Sequence, residues 1–239
     1  MEISVKGKKA LVTGASRGIG RAITETLLKA GASKVYAVDV LKDELDKFAS
    51  EVANVHPIHL DLCDWSTTKA TLSTIEPVDY LVNNAGVFWP TKHGTIKESD
   101  YDKIFTVNVK SMINVTQIIT TTMIKSGIKG SIVNTSSIQS LTTSPDNLVY
   151  SSSKAAIDHV TRNFAAQLAS DNIRVNAINP WSVSTSMLPS DAVEAEIKAN
   201  PFGKLIEPEE IGKIVLFLLS DWSAAINGIT LRIDYGIIL

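Results

Sequence analysis

The sequence predicts a single-domain, Rossmann-like α/β fold, a doubly wound parallel sheet with helices on both faces. Short apolar runs alternate with longer amphipathic stretches from one end to the other, the pattern of repeated β-α-β units. The first run, residues 9–12, leads straight into Thr13-Gly14-Ala15-Ser16-Arg17-Gly18-Ile19-Gly20, a glycine-rich strand-to-helix turn. At 239 residues the chain has the size of one large α/β domain, and no repeat, low-complexity tract or interdomain linker divides it.

Residues 9–12 read as the first strand and 21–30 as a helix ended by Gly31. Strand 34–38, helix 41–52 and strand 55–60 follow. Residues 80–82 form a fourth strand, running into Asn83-Asn84-Ala85-Gly86. A long helix is expected over 101–126, a fifth strand over 131–134, a second long helix over 150–170 and a sixth strand over 174–178. Residues 181–206 are rich in Ser, Pro and Ala with weak periodicity, so a mobile substrate segment is expected there. Helix 209–219 and strand 229–233 close the chain.

Composition excludes several function classes. The chain is 44% hydrophobic and 20% charged, with net charge −2 and no basic block, so no nucleic-acid partner is expected. The longest aliphatic-aromatic run, 214–219, is too short to span a bilayer, and no membrane association is expected. The opening Met1-Glu2-Ile3-Ser4-Val5-Lys6 lacks a signal-peptide pattern. Cys63 is the single cysteine, which rules out an internal disulfide and fits a reducing, cytoplasmic setting. His56, His59, His93, His159 and Cys63 lack metal-ligand spacing, so no metal site is expected. Trp65 and Trp222 read as packing residues, while Trp181 is evenly a packing residue or a wall of the substrate pocket.

Gly14, Ser16, Arg17, Gly18, Ile19 and Gly20 lie where an open helix N-terminus receives a pyrophosphate, with glycines allowing close backbone approach. Asp39 stands nineteen residues beyond Gly20, where a carboxylate accepts the ribose hydroxyls of NAD and repels the 2′-phosphate of NADP. Arg17 is the counter-argument, a cation able to meet that phosphate. NAD(H) is favoured and NADP(H) is the alternative. Asp61 and Leu62 are placed to hold the adenine, and Asn83, Ala85 and Gly86 to pass the cofactor across the sheet top.

Tyr150 and Lys154, four apart, share one face of a helix. A free phenol with a pKa near ~10 is a poor base at neutral pH, and bringing it to about 7 needs roughly 4 kcal/mol. A nearby ammonium supplies ~1–3 units and the cationic ring of an oxidised nicotinamide adds to it. Ser137, thirteen residues before Tyr150, is placed to orient a substrate oxygen.

Together these motifs make the chain similar to the short-chain dehydrogenase/reductase family over essentially its full length. The matches are Thr13-Gly14-(x)3-Gly18-Ile19-Gly20, Asn83-Asn84-Ala85-Gly86, Val107-Asn108-Val109, Ser137, Tyr150-(x)3-Lys154 and Asn179-Pro180-(x)2-Val183-(x)-Thr185. The resemblance implies a tetrad of Ser137, Tyr150, Lys154 and Asn108. Tyr150 would be the acid/base, Ser137 the orienter, Lys154 the ribose ligand, and Asn108 the holder of a relay water. It also implies cofactor contacts from Tyr150, Lys154, Pro180, Val183 and Thr185, and a substrate lined by Ser137, Asn147, Tyr150 and Trp181. Within the family the chain looks most like the dicarbonyl/L-xylulose reductase group, through Leu60-Asp61-Leu62-Cys63-Asp64-Trp65 and the residues leading into Asn83. It departs from that group at Asp39-Val40, where Ser-Arg is typical, and in 188–200. At Trp181 the wider family often has Gly.

The expectation is therefore an oxidoreductase moving a hydride between NAD(H) and a secondary alcohol or ketone. An NADPH-dependent dicarbonyl/L-xylulose (carbonyl) reductase and a non-catalytic dinucleotide-binding protein are the alternatives. The long helices carry apolar residues on more than one face, such as Ile118 with Ile119 and Ala165 with Ala166, and with the resemblance this implies a homotetramer.

Overall fold

Seven strands form one parallel sheet: β1 (Lys9–Thr13), β2 (Lys34–Asp39), β3 (Val55–His59), β4 (Tyr80–Asn83), β5 (Ser131–Thr135), β6 (Arg174–Pro180) and β7 (Thr230–Ile233). Their spatial order is β3-β2-β1-β4-β5-β6-β7, which reverses direction between β1 and β4. Ligands of such sheets bind in the crevice above that reversal, at the carboxyl strand ends. The helices are α1 (Gly18–Lys29), α2 (Lys42–Glu51), α3 (Trp65–Leu72), α4 (Glu98–Phe105), α5 (Ser111–Lys125), α6 (Leu148–Gln167), α7 (Val193–Ala199) and α8 (Pro208–Leu219). This computed structural model describes residues 3–239; Met1 and Glu2, which open the stretch read for a signal peptide, lie outside the described residues.

Neighbouring residues along the inner strands feed opposite faces, as strand geometry requires. Ala10 and Val12 join Ile23, Leu27, Phe48, Val215 and Leu219 on the face covered by α1, α2 and α8. Leu11, Leu81 and Ile132 join Leu72, Val115, Ile119 and Met123 on the face covered by α3 and α5. Both faces are buried, so these strands read as continuous apolar runs rather than alternating ones.

Three expectations are corrected here. The helix expected over 101–126 is α4 and α5 joined by a π turn, Thr106–Lys110. Such a turn adds one residue to a helical repeat, which side-chain periodicity does not reveal, and it often marks a functional position. Helix α3 has no counterpart among the sequence-based expectations because Ser66, Thr67 and Thr68 weaken its apolar period; Asp64 caps it, Oδ1 accepting from Thr67 N–H at 2.9 Å. Trp65 and Trp222 pack only in part, remaining 38% and 55% exposed. Among the described residues no helix is long and apolar enough to cross a membrane, and no group of three His, Cys, Asp or Glu could hold a metal ion.

Residues 181–206 are organised from their ends. Val183 bridges to Ile206, α7 forms between them, and the Ser182 hydroxyl donates to Glu196 Oε2 at 2.7 Å.

Candidate active site

The glycine turn is built from backbone. Gly14 and Gly18 have φ of +63° and +54°, a region costly for other residues. A Cβ on Gly14 would stand 2.9 Å from Ala85 Cα, and one on Gly20 only 2.0 Å from Gly14 O. Thr13 and Asn84 fasten this turn to the one after β4. Thr13 Oγ1 accepts from the N–H groups of Asn84 and Ala85, both at 3.0 Å, while Asn84 Nδ2 donates to the carbonyls of Thr13 and Gly14, both at 3.1 Å. This fastening role of Asn84 is not legible from motif spacing; its signal is the doubled Asn beside a glycine turn.

Helix α1 begins with no side-chain cap and no acidic residue in its first turn. Helix α8 is the opposite case, sealed by a capping box of Glu207 and Glu210. Open first-turn N–H groups and the positive helix end suit an anion. The residues therefore fit a dinucleotide pyrophosphate: the cradle is glycine-lined and the helix end is neither capped nor charged against it.

Asp39 ends β2 beside this loop. Its Oδ2 accepts from the Ser16 backbone N–H at 3.0 Å and hydroxyl at 2.7 Å, and Oδ1 accepts from Leu41 N–H at 3.1 Å. One oxygen keeps acceptor capacity. Arg17 is exposed, 3.8 Å from an equally exposed Glu44. Asp61 is exposed as well, its Oδ1 accepting from Cys63 N–H at 2.9 Å, which holds its carboxyl below the usual range. Leu62 and Ile19 are half-buried against the two core clusters.

Asn83 serves the interior. Its Nδ2 donates to Thr116 Oγ1 at 2.9 Å and Asn134 Oδ1 at 2.8 Å, tying β4 to α5 and β5. Asn108, in the π turn, is equally committed: Val87 N–H donates to its Oδ1 at 2.8 Å, and its Nδ2 donates to Val87 O and Ser153 Oγ, both at 3.1 Å. Gly86 lies against the same place, where a Cβ would meet Asn108 Oδ1 at 3.4 Å and Lys154 Nζ at 3.7 Å.

Helix α6 carries Tyr150 and Lys154. Lys154 is buried, Nζ donating to the Thr135 carbonyl at 2.9 Å and lying 5.5 Å from the Tyr150 ring centroid. Burial pushes the ammonium down to about 8, with Asp158 acting in the other direction. Burial also pushes the Tyr150 phenol up to about 12, opposed by a hydrogen bond from Ser137. Within the chain alone, desolvation sets the direction of the phenol's shift. Ser137 is buried at the start of the 3-10 turn Ile138–Ser140, its Oγ accepting from Gln139 N–H at 3.2 Å. Phe88, unforeseen from the sequence, meets the Tyr150 ring edge-on with centroids 5.0 Å apart.

Asn147 bonds locally, Nδ2 donating to Ser144 Oγ at 2.8 Å and Gln139 Oε1 at 3.3 Å. Pro180 ends β6 and is buried. Trp181 is half-buried against the core cluster under α1 and α8, its indole nitrogen buried without an acceptor. Val183 is buried, and Thr185 returns to the glycine loop, Cγ2 lying 3.3 Å from where a Gly18 Cβ would stand. Glycine loop, turn after β4, α6 and the segment after β6 thus converge at the carboxyl edge of the sheet.

Ile118 and Ile119 are both covered within the chain, because α3 packs on α5. They do not supply the outward apolar face expected of that helix. Such a face lies earlier: Trp65, Phe105, Val109 and Ile113 line a shallow groove, and exposed Tyr101 stacks on Phe105 at 4.6 Å.

A family model, short chain dehydrogenase, matches residues 8–195. The chain is 39% identical to the L-xylulose reductase of Mus musculus over 99% of this chain and 98% of that protein. It is 38% identical, over the same shares, to carbonyl reductase [NADPH] 2 of Sus scrofa. Among solved structures it is similar to a Beutenbergia cavernae protein assigned as an NAD(P)-dependent gluconate 5-dehydrogenase and solved with NADP. That match has a TM-score of 0.91 and 28% identity, covering 99% of this chain and 98% of the other.

Proposed function

The chain belongs to the short-chain dehydrogenase family of oxidoreductases, and on that premise we propose that it interconverts a small secondary alcohol and its ketone with NAD(H). The Tyr150 ring, with Lys154 Nζ 5.5 Å from its centroid and a hydrogen bond from Ser137, carries this reading. A nicotinamide cofactor held by the glycine turn and Lys154 would supply hydride exchange and, when oxidised, a positive charge that would draw the phenol's pKa down. Tyr150 Oη gives or takes the proton of the substrate hydroxyl, and Ser137 Oγ holds the substrate oxygen beside it. Lys154 Nζ binds the ribose. Asn108, its amide oriented by Val87 and Ser153 and lying beside Gly86, holds a relay water. Gly14 to Gly20 cradle the pyrophosphate, Asp61 and Leu62 border the adenine, and Ala85, Gly86, Pro180, Val183 and Thr185 line the remainder. Asn83 contributes from inside the sheet. Asn147 and Trp181 border the substrate, with residues 181–206 as its moving cover.

The charge on Asp39 favours NAD(H), since a 2′-phosphate beside it is repelled and Arg17 is exposed and partly offset by Glu44. A second reading, reduction of a dicarbonyl or sugar ketone with NADPH, is favoured by the open cleft at the loop. That cleft is lined by Arg17, Arg21 and Lys47 against Glu44 and Glu51. Cofactor-dependent absorbance change with a panel of ketones, sugar ketones and alcohols separates these readings. A protein inert towards the whole panel, yet binding the cofactor, overturns the enzymatic reading in favour of a binder.

The exposed groove of Trp65, Phe105, Val109 and Ile113 pairs with its counterpart on a second copy, within a cytoplasmic homotetramer. Light scattering at micromolar concentration is expected to give the tetramer mass, and a monomer contradicts it.

A further inference from the structure

Behind the Tyr150 helix lies a buried carboxylate that the reaction described above does not use. Asp158 sits one turn beyond Lys154 on α6 and is 5% exposed. Its Oδ2 accepts from the Ser140 hydroxyl at 2.5 Å and from Asn179 Nδ2 at 3.2 Å; Asn179 Nδ2 also donates to Ser140 Oγ at 2.8 Å. These three side chains come from three elements that each present a site residue. Ser140 ends the turn that Ser137 begins, Asn179 directly precedes Pro180 and Trp181, and Asp158 shares its helix with Tyr150 and Lys154.

The hydrogen bonds alone do not require a charge. A neutral amide oxygen would accept from both Ser140 and Asn179, and a buried carboxylate carries a large desolvation cost. Asp158 Oδ1 moreover is buried with no donor. What the negative charge does have is a cation at i−4, the equally buried Lys154, whose charged form it favours. The other titratable side chain facing Lys154 is Tyr150 on the same helix. From β5 the neighbours are the Thr135 carbonyl and the Ser136 hydroxyl, which donates to Lys154 O, and from the turn after β4 it is Gly86. None of these last three titrates.

We propose that Asp158 is a positioning residue of this site, the buried counter-charge that keeps Lys154 an ammonium while bracketing the Ser137 turn and the end of β6 onto α6. As a positioning role this rests on the function proposed above. The decisive readout does not, because it is taken on the cofactor-free protein.

That readout is the side-chain carbon titration of Lys154 by nuclear magnetic resonance, assigned with Lys154→Met. Asp158→Asn keeps the acceptor and removes the charge, so the Lys154 midpoint, about 8 in the parent, is expected to fall by on the order of one unit. The alkaline limb of kcat is expected to move down with it, while KM for the ketone stays within about twofold. Ser140→Ala, which loosens the bracket and leaves the charge, is expected to leave the midpoint in place. Should Asp158→Asn not fold, Asp158→Ser removes the same charge and offers a donor to the unpartnered Asn179 Oδ1. A Lys154 midpoint unmoved by either charge-removing variant overturns the proposal, including where melting temperature alone falls. If Tyr150→Phe retains turnover, the functional reading fails separately and the Lys154 titration still decides this one.

Discussion

The glycine turn and the Tyr150 helix sit at the same sheet edge, yet they are prepared for a ligand in opposite ways. The turn is finished by backbone alone: Gly14 and Gly18 already hold positive φ, and α1 begins uncapped. The helix carries the required side chains, but burial shifts both against their charged forms, the phenol up to about 12 and the ammonium down to about 8. Steric preorganisation needs no ligand. Electrostatic tuning of the phenol does, because desolvation penalises its anion until a positive charge arrives, whereas the Lys154 ammonium already has Asp158 one turn away.

The comparison is broken most sharply at Tyr150. Tyr150→Phe is expected to lower turnover by ~10²–10⁴-fold while cofactor affinity, measured by fluorescence titration, changes little, since acid/base work is lost and the ring still packs. Unchanged turnover would remove the phenol from the chemistry. On the other side, Gly20→Ala places a carbon 2.0 Å from Gly14 O and forces the turn open. Overpacking of this kind costs about 1–3 kcal/mol, expected as a lower melting temperature together with weakened cofactor binding. A variant binding cofactor as the parent does would contradict the close approach.

Lys154→Met tests the electrostatic side without any ligand. Lys154 has a folded pKa of about 8 against 10.5 unfolded, so the stability it permits is full above pH 10.5 and lost as pH falls through 8. Below that the buried charge costs about 3 kcal/mol at ~1.36 per unit, offset by roughly 1 kcal/mol for the bond to Thr135. Denaturant titration is expected to find the methionine variant about 2 kcal/mol more stable at pH 7 and about 1 kcal/mol less stable above pH 10.5, where only the lost Thr135 bond counts. A variant less stable at pH 7 would show that the ammonium is better compensated than its burial implies.

The smallest effect falls on the cofactor's far end. Replacing Asp39 by Ser and Val40 by Arg is expected to reverse an NAD(H) preference by about tenfold or more in kcat/KM, exchanging a repulsion for a phosphate partner. An unaltered protein that already prefers NADPH would mean that Arg17 and its cleft outweigh Asp39.

Much of this was legible from the chain alone. Thr13–Gly20, Asp39 and the Tyr150–Lys154 spacing are local patterns, each fixed by a turn or a helical repeat, and they sufficed for fold class, family and reaction type. Alternating apolar runs gave all seven strands for the same reason, since both faces of a parallel sheet must be covered. What the sequence left hidden depends on residues distant in the chain. The π turn at Asn108 leaves the helical pattern intact on either side, and α3 packs through an apolar stripe that its Ser and Thr residues obscure. The burial of Ile118 and Ile119 is decided by α3 arriving from elsewhere, and the partial exposure of Trp65 by the open groove it lines. Phe88 on Tyr150, Asn84 on Gly14 and Asp158 behind Lys154 are likewise contacts between separate segments. The raised phenol is the clearest case. Spacing shows that an ammonium is near, but the sign of the shift is set by how much protein surrounds the pair, and only the tertiary structure fixes that.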